Sequence, residues 1–345
     1  MRTAYDSKLL YYLCIAAGLV TGTWRNTLWS ISLLLLQLVG LTYNLLSLFF
    51  IPRNVASSIL HIGITLPLNH ISGIVTLSLP LTKKYKQKIF YLQQASNIDT
   101  LMYKNTKKHM PNIILAPIVV IIILFHCVDI YIWNYNNGFI MTTVHEIIVH
   151  ISSITSSIMA CQYLIYVQAI KHHLHYLNKS LNNKDIHKFR QIYDKLYEFC
   201  KLINSIYGLQ IFLKILSCIS AVITNAYGTL SFLHSLIVKR NNKIIISTGL
   251  TQIGWTLLGS FKMIIICLLC QKASNESITL ISKVQKLLLQ ENITQNIMIQ
   301  LQLFSKQIVR NRTEFTANGI CVINFSLMYT IIGILTTYII VLIQI

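Results

Sequence analysis

The chain of 345 residues is 54% hydrophobic and only 11% charged, with a mean hydropathy of +0.58. A soluble domain of this length needs a polar surface that this composition does not supply, whereas apolar runs of about eighteen residues are typical of membrane helices. The net charge of +19 does not indicate nucleic-acid binding, because the basic residues fall in clusters between the apolar runs.

Seven segments that are uncharged or nearly so predict an all-α, polytopic membrane protein with seven transmembrane helices. The N-terminal residues 1–25 show no clear signal-peptide cleavage site and predict a helix at the membrane surface. Only four residues separate the first two apolar segments, which predicts a tight helical hairpin. The seven segments lie at residues 28–51, 56–81, 112–133, 143–170, 202–237, 244–270 and 319–345.

The lysines and arginines are distributed unequally between the two sides of these segments. Twenty-three of the 29 lie near the N-terminus or in the connections after the second, fourth and sixth segments, against four on the other side. By the positive-inside rule this predicts a cytosolic N-terminus and an extracellular C-terminus, the reverse of a G-protein-coupled receptor. Lys214 and Lys262 fall inside apolar segments and are expected to snorkel to the cytosolic interface.

The connection between the sixth and seventh segments repeats apolar residues at helical spacing on a basic background. It predicts amphipathic helices that lie at the inner membrane face or pack with the cytosolic ends of the spans. We therefore divide the chain into residues 1–270 with the N-terminal helix and six spans, residues 271–318 as a cytosolic helical anchor, and residues 319–345 as the last span.

Polar and aromatic residues at membrane depth are candidates for a binding site, because ionisable groups there are costly and often functional. Seven of them fall in the third, fourth and sixth spans, in halves that the predicted orientation makes extracellular: His126, Asp129, Trp133, Glu146, His150, Gln252 and Trp255. Such a mixture is what a pocket for a small organic molecule offers. The alternative is that the two carboxylates, near span ends, simply reach water.

The sequence predicts no metal site, no cofactor and no catalytic centre. Cys267 and Cys270 form a CxxC without a second pair of ligands, so we interpret them as buried thiols. His145, Glu146 and His150 resemble a zinc-protease motif only superficially, because helical spacing turns the second imidazole about 140° away from the first. With no phosphate-binding glycine-rich loop and no nucleophile elbow, we expect no enzyme.

The C-terminal segment carries a recognisable pattern, in which Thr337 and Tyr338 are followed, after five apolar residues, by Gln344 and Ile345. Upstream of it the chain reads FTANG, NFSL and IIG within residues 315–333. These residues resemble the last helix of the insect gustatory receptors, whose signature is Thr-Tyr, five mostly apolar residues and Gln-Phe. Ile345 stands where that family has phenylalanine.

The resemblance implies a tetrameric, ligand-gated, non-selective cation channel in the plasma membrane of chemosensory neurons. It implies a pore lined by the final helix, a cytosolic anchor between subunits, and a small organic tastant bound in the extracellular half of each subunit. Membrane lipid and other chemoreceptor subunits, in a homo- or hetero-tetramer, are the other expected partners. The pore and gate residues that it assigns are Thr337, Tyr338, Val341, Gln344 and Ile345.

Helical spacing is compatible with that assignment. Tyr338, Val341 and Ile345 share one stripe of a helix, with Thr337 and Gln344 beside it, and an apolar stripe with one amide suits a dewetting gate next to a polar ring. The alternative is that Gln344 bonds a neighbouring helix and Tyr338 anchors the helix at an interface.

Ile339 follows the Thr-Tyr pair where sugar-sensing members of the family tend to carry an acidic residue, which favours a bitter-type or orphan ligand. One alternative is an insect odorant-receptor subunit that works with a co-receptor. From other classes, a G-protein-coupled receptor would need an acidic-Arg pair after the third span, and a secondary transporter would usually show internal repeats. Neither feature is present in the sequence.

Overall fold

The structure is a computed structural model, and it describes residues 8–20, 23–47, 61–95, 115–137, 140–181, 185–237, 243–290 and 294–344. The chain in these ranges is almost entirely helical, which confirms the all-α prediction. In order, its α-helices are α1 Lys8–Ala16, α2 Trp24–Ser47, α3 Leu66–Ser78, α4 Lys83–Ala95, α5 Leu115–Asn137, α6 Ile140–Ser180, α7 Ile186–Ile237, α8 Lys243–Leu288, α9 Gln295–Arg310 and α10 Phe325–Gln344.

Short irregular elements connect some of these helices. A π-helical turn, His61–Thr65, leads into α3, and a 3-10 turn, Leu79–Leu81, joins α3 to α4. A small antiparallel hairpin of β1 (Thr316–Ala317) and β2 (Cys321–Val322) precedes α10. Pro80 lies in the 3-10 turn and Pro67 is the second residue of α3, and proline cannot donate the backbone hydrogen bond of a regular helix interior.

Five helical stretches in the described ranges are long and apolar enough to cross a membrane: Trp24–Ser47, Gly63–Leu81, Val144–Ser180, Ile186–His234 and Gly249–Leu288. They coincide with the predicted first, second, fourth, fifth and sixth spans. The third and seventh predicted spans correspond to α5 and α10, whose described apolar parts are shorter. The structure thus confirms several apolar helices at the expected places, while the count of seven crossings and the orientation of both ends stay predictions.

Three helices continue far beyond the spans that hydropathy outlines. α6, α7 and α8 contain 41, 52 and 46 residues, so α7 alone is about 78 Å long, against a hydrocarbon core of about 30 Å. The predicted boundary at residue 270 therefore falls inside one continuous helix. The largest fully buried rings in the described residues lie in α6, in α7, in α9 and just before β1, and they are Tyr163, Tyr193, Tyr207, Phe304 and Phe315.

The predicted start of the last span at residue 319 is wrong by several residues. Asn318 and Gly319 have φ angles of 56° and 72°, which lie in the left-handed region and form the turn of the hairpin. The helix begins only at Phe325, where the backbone amide of Leu327 donates to Oδ1 of Asn324 at 2.9 Å and so caps the first turn.

Within the segment predicted to form the anchor, α9 is an amphipathic helix. Its side chains Leu301, Phe304 and Ile308 are 0% exposed, and they lie on one face at helical spacing. The ring of Phe304 packs edge-on against Tyr193 of α7, with 6.0 Å between the ring centroids. α9 is thereby attached to the extended end of α7 and not to a membrane surface alone.

Candidate functional site

Four of the seven predicted site residues lie together where α5, α6 and α8 meet, and we call His126, Asp129, His150 and Trp255 the outer cluster. The indole Nε1 of Trp255 donates a hydrogen bond to Oδ2 of Asp129 over 2.8 Å. The same oxygen lies 3.5 Å from Nε2 of His150, and Nδ1 of His150 lies 2.7 Å from Nδ1 of His126. One carboxylate thus connects side chains of three helices.

Trp255 is also the centre of a group of packed rings. Its indole stacks on His150 with centroids 5.8 Å apart and an interplanar angle of 19°. His126 meets the indole at 4.7 Å, and Phe125 meets it edge-on at 5.0 Å. Sequence analysis did not predict that Phe125 belongs to this group. The glycine next to Trp255 indicates a close neighbour, because a Cβ atom on Gly254 would lie 2.5 Å from the Phe125 ring.

The other three predicted site residues have different outcomes. Glu146 lies one helical turn before His150 on α6 and is half-buried. Gln252 lies one turn before Trp255 and packs against Gly228 of α7, where an added Cβ atom would be 2.5 Å from its amide. The side chain of Trp133 is outside the described part of the chain.

The two histidines of the outer cluster are buried, whereas Asp129 and Trp255 are partly accessible to solvent. His126 and His150 are 0% and 4% exposed, whereas the Asp129 side chain is 18% exposed and Trp255 is half-buried. Within the described residues, Nε2 of His126 has no hydrogen-bond partner, although it is buried. A buried polar atom without a partner is costly, so the cluster has capacity for one more polar contact, from water or a ligand.

A second set of polar contacts, which sequence analysis did not predict, connects α2, α3 and α6. Gln37 donates from Nε2 to the carbonyl oxygen of Ile148 at 3.2 Å, and its Oε1 lies 2.8 Å from Nδ1 of His70. Asn69 donates to the carbonyl oxygen of Val149 at 3.1 Å. These contacts hold α6 in place directly beside the outer cluster, since Ile148 and Val149 precede His150.

The expectation that Lys214 snorkels to the interface is wrong. The side chain is 3% exposed, and Nζ donates to Oγ of Ser156 on α6 at 2.8 Å. Lys262 is half-buried, and its Nζ lies 6.0 Å from the centroid of the Trp255 ring. Both lysines therefore face the interior of the bundle and not the lipid. Hydropathy does not predict this, because it does not indicate how a helix is rotated about its own axis.

The residues assigned to the pore lie on a helix that the rest of the subunit covers poorly. Thr337, Tyr338 and Val341 are exposed, with Tyr338 at 38% and Val341 at 46%. The Gln344 side chain and Ile345 are outside the described residues. In the described ranges no three metal-binding side chains lie close enough together to hold an ion.

The model of the 7tm Chemosensory receptor family matches residues 7–345. The chain belongs to this chemosensory receptor family. The Putative gustatory receptor 2a of Drosophila melanogaster is 25% identical to it over 173 residues, which cover 45% of the chain and 40% of that relative. The match therefore spans less than half of the curated relative, and the resemblance that we inferred from the C-terminus is confirmed at the level of the family.

Among solved structures, this chemosensory receptor resembles the insect olfactory receptor OR5 from Machilis hrabei. The TM-score is 0.69 at 12% identity, with 98% of this chain and 97% of that one covered. The same receptor in complex with eugenol gives a TM-score of 0.58 at 12% identity, with 98% of each chain covered. At this identity the likeness concerns the fold alone.

Proposed function

We propose that the chain is a gustatory receptor subunit, a tastant-gated, non-selective cation channel in the plasma membrane of chemosensory neurons. The observation that carries the proposal is the outer cluster, where one partly accessible carboxylate, two imidazoles and an indole converge from three helices. A group of few polar atoms among packed rings is suited to orient a small organic molecule. Family membership and the partial match to a gustatory receptor support the same conclusion.

A route from this site to the last helix runs along α8. Trp255 lies in the apolar part of α8, and Gln271 lies further along the same unbroken helix. Oε1 of Gln271 accepts a hydrogen bond from the backbone amide of Phe325, the first residue of α10, at 3.4 Å. A ligand that shifts Trp255 therefore displaces a rigid rod whose other part touches the start of the proposed pore helix.

The surface of α10 supports an oligomeric channel. Tyr329, Ile332 and Ile334 are 69%, 50% and 53% exposed in the single chain, and Gly333 has open space around it. One helix cannot enclose a pore, so a pore lined by α10 requires copies related by rotational symmetry. We propose a tetramer, homomeric or with other chemoreceptor subunits, that opens between the α10 helices.

For the ligand we propose a small organic tastant of bitter type or a molecule not yet assigned, in preference to a sugar. The absence of an acidic residue after Thr337 and Tyr338 and the aromatic character of the outer cluster support this choice. The likeness to an olfactory receptor solved with eugenol supports a small aromatic or apolar ligand for this fold.

The second candidate is an odorant-receptor subunit, which the fold likeness to an olfactory receptor favours. Whole-cell recordings from cells that express this chain, with and without an odorant co-receptor, separate the two. We expect tastant-evoked cation currents from the chain alone or with gustatory subunits. Currents that appear only with the odorant co-receptor would favour the second candidate, and a response carried by G proteins without any ligand-gated conductance would refute both.

A further inference from the structure

The first turn of α4 carries a dense group of exposed lysines. Lys83, Lys84 and Lys86 are exposed and fall within four consecutive residues. None of them forms an ion pair with a carboxylate in the part of the chain that the structure describes. Residues 7–98 contain no aspartate or glutamate, so the flanking chain supplies no counter-charge either. We call these three lysines the juxtamembrane patch, and it presents unpaired ammonium groups to its surroundings.

The juxtamembrane patch lies at the level of the lipid head groups. The apolar stretch Gly63–Leu81, which is long enough to cross a membrane, ends two residues before Lys83. A Cβ atom on Gly18, which lies between α1 and α2, would be 3.0 Å from the Leu77 side chain near the end of α3, so α2 begins at the same level. There Trp24 is 77% exposed, and exposed tryptophan is typical of the interface between membrane and water. The predicted orientation assigns this interface to the cytosolic leaflet.

One face of α4 is attached to the rest of the subunit, and this leaves the patch free. Nζ of Lys88 donates to the carbonyl oxygen of Ser205 on α7 at 3.3 Å and also contacts the hydroxyl of that serine. Tyr85, three residues before Lys88, packs against the hydrophobic core on the same face of the helix. Lys83 and Lys86 are also three residues apart, and helical spacing places them on the opposite face. The patch is therefore fixed in orientation and directed away from the protein.

We propose that the juxtamembrane patch binds the head group of a phosphatidylinositol bisphosphate in the cytosolic leaflet. Lysine clusters directly beside a span attract anionic lipids, and the attraction grows with each lysine. Three ammonium groups within one helical turn can contact neighbouring phosphates of a single head group, whereas phosphatidylserine offers a single net charge. The patch shares no helix with the outer cluster, so its occupant is a second ligand and not the tastant.

Through α7 the patch is connected to the segment before α10. Ser205, which accepts from Lys88, follows Asn204 directly in the chain. The amide of Asn204 donates from Nδ2 to the carbonyl oxygen of Glu314 at 2.8 Å, and its Oδ1 accepts from the backbone amide of Thr316 at 3.2 Å. A head group that pulls α4 towards the membrane therefore acts on the residues that hold β1. This regulatory effect rests on the proposed channel function, whereas the binding itself does not.

The binding test uses the full chain in phosphatidylcholine nanodiscs that also contain either phosphatidylinositol 4,5-bisphosphate or phosphatidylserine, at matched total lipid charge. Native mass spectrometry of the released protein counts the lipids that stay bound. We expect the bisphosphate lipid to bind at least about tenfold more tightly than phosphatidylserine. Equal binding of the two lipids would mean a diffuse attraction to negative charge and would overturn the proposal. The measurement needs no current, so it stands or falls independently of the proposed channel.

A combined variant tests whether the patch is the binding site. It replaces the three lysines of the patch with glutamine, Lys83→Gln, Lys84→Gln and Lys86→Gln, and should weaken binding of the bisphosphate lipid at least about tenfold. The matched control makes the same change of charge at exposed positions outside the predicted spans, Lys188→Gln, Lys195→Gln and Lys306→Gln. An equal loss in both variants, or no loss in either, would refute the site. If the patch variant does not fold, the comparison of the two lipids on the unaltered chain still decides.

The regulatory effect has its own measurement. Removal of the 5-phosphate by a voltage-activated lipid phosphatase should change the tastant-evoked current of the unaltered chain and of the control variant, but not that of the patch variant. A change of equal size in all three chains would refute the connection from the patch to α10.

Discussion

The indole of Trp255 on α8 and the carboxylate of Asp129 on α5 share a hydrogen bond of 2.8 Å across two helices. The bond fixes the orientation of Asp129, which also faces His150 at 3.5 Å. One carboxylate oxygen of Asp129 thus connects α5 with α8 and with α6.

Trp255→Phe keeps an aromatic ring but removes the N–H donor. We expect the half-maximal tastant concentration to rise about tenfold with unitary conductance unchanged, because a hydrogen bond to a charged group is lost at the site and not in the pore. Single-channel recording measures both quantities. Trp29→Phe removes an indole that donates to the carbonyl oxygen of Ala16 at 2.9 Å, far from the cluster, and serves as the control. A change in conductance, or equal sensitivity shifts in both variants, would contradict a ligand role.

The extended end of α7 provides a stability prediction. The hydroxyl of Tyr193 is 3.0 Å from Oγ of Ser277, and it donates to the carbonyl oxygen of Asn311 at 2.9 Å. Tyr193→Phe leaves these buried groups with fewer partners, so we expect a loss of about 1–3 kcal/mol in the free energy of unfolding. Thermal unfolding of the purified receptor should show a lower midpoint. Tyr197→Phe, half-buried one turn further along, is the control, and an equal loss there would contradict the assigned role.

A close approach between α7 and the hairpin provides a third prediction. A Cβ atom on Gly208 would lie 2.8 Å from the backbone nitrogen of Asn318, in the turn that precedes α10. Gly208→Ala must therefore push the hairpin away, at a cost of about 1–3 kcal/mol, and should alter gating because α10 follows directly. Thermal unfolding and the fraction of time the channel is open measure the two effects.

Gly333 of α10 is the matched control for Gly208. An added Cβ atom there meets nothing within 4 Å in the single chain, so Gly333→Ala should not lower the stability of the subunit. Any effect of that variant should appear in assembly, measured as the mass of the detergent-solubilised complex. If Gly208→Ala is as well tolerated as Gly333→Ala, the contact with the hairpin is not important.

The positions of the apolar helices were predictable because the bilayer thickness constrains the length of each span, and polar residues in such spans are rare enough to be noticed. For that reason Asp129 and Trp255 could be selected from the sequence, and the structure places their side chains in contact. The rotation of each helix about its axis is not given by hydropathy, so the inward position of Lys214 was missed. The turn at Asn318 and Gly319 had a known hairpin signal, since this dipeptide favours positive φ angles at both residues.

The predicted orientation can be tested through four of the chain's glycosylation sequons, those that begin at Asn178, Asn275, Asn292 and Asn311. All fall on the side that the positive-inside rule assigns to the cytosol, so none should carry sugar. In the folded chain, Asn178 is 7% exposed, and its amide donates to Oε2 of Glu276 at 2.8 Å, which leaves no room for a glycan. A change in gel mobility after treatment with a glycosidase would refute the orientation, as would a C-terminal epitope that antibodies reach only in permeabilised cells.

The last prediction concerns the end of α10, where Gln344 is proposed to line the pore. Gln344→Glu would place one carboxylate per subunit around the axis, which should raise selectivity for cations and the relative permeability of Ca²⁺. Gln344→Ala should change unitary conductance, and both variants should still assemble because the anchor is untouched. Leu335→Met is the control, since a helix of 3.6 residues per turn places Leu335 about 180° from Gln344. Reversal potentials measured in exchanged cation solutions test whether Gln344 lines the pore. A ring of four added charges in a narrow path must alter the energy of a passing ion. Identical permeation in all three variants would therefore exclude Gln344 from the pore.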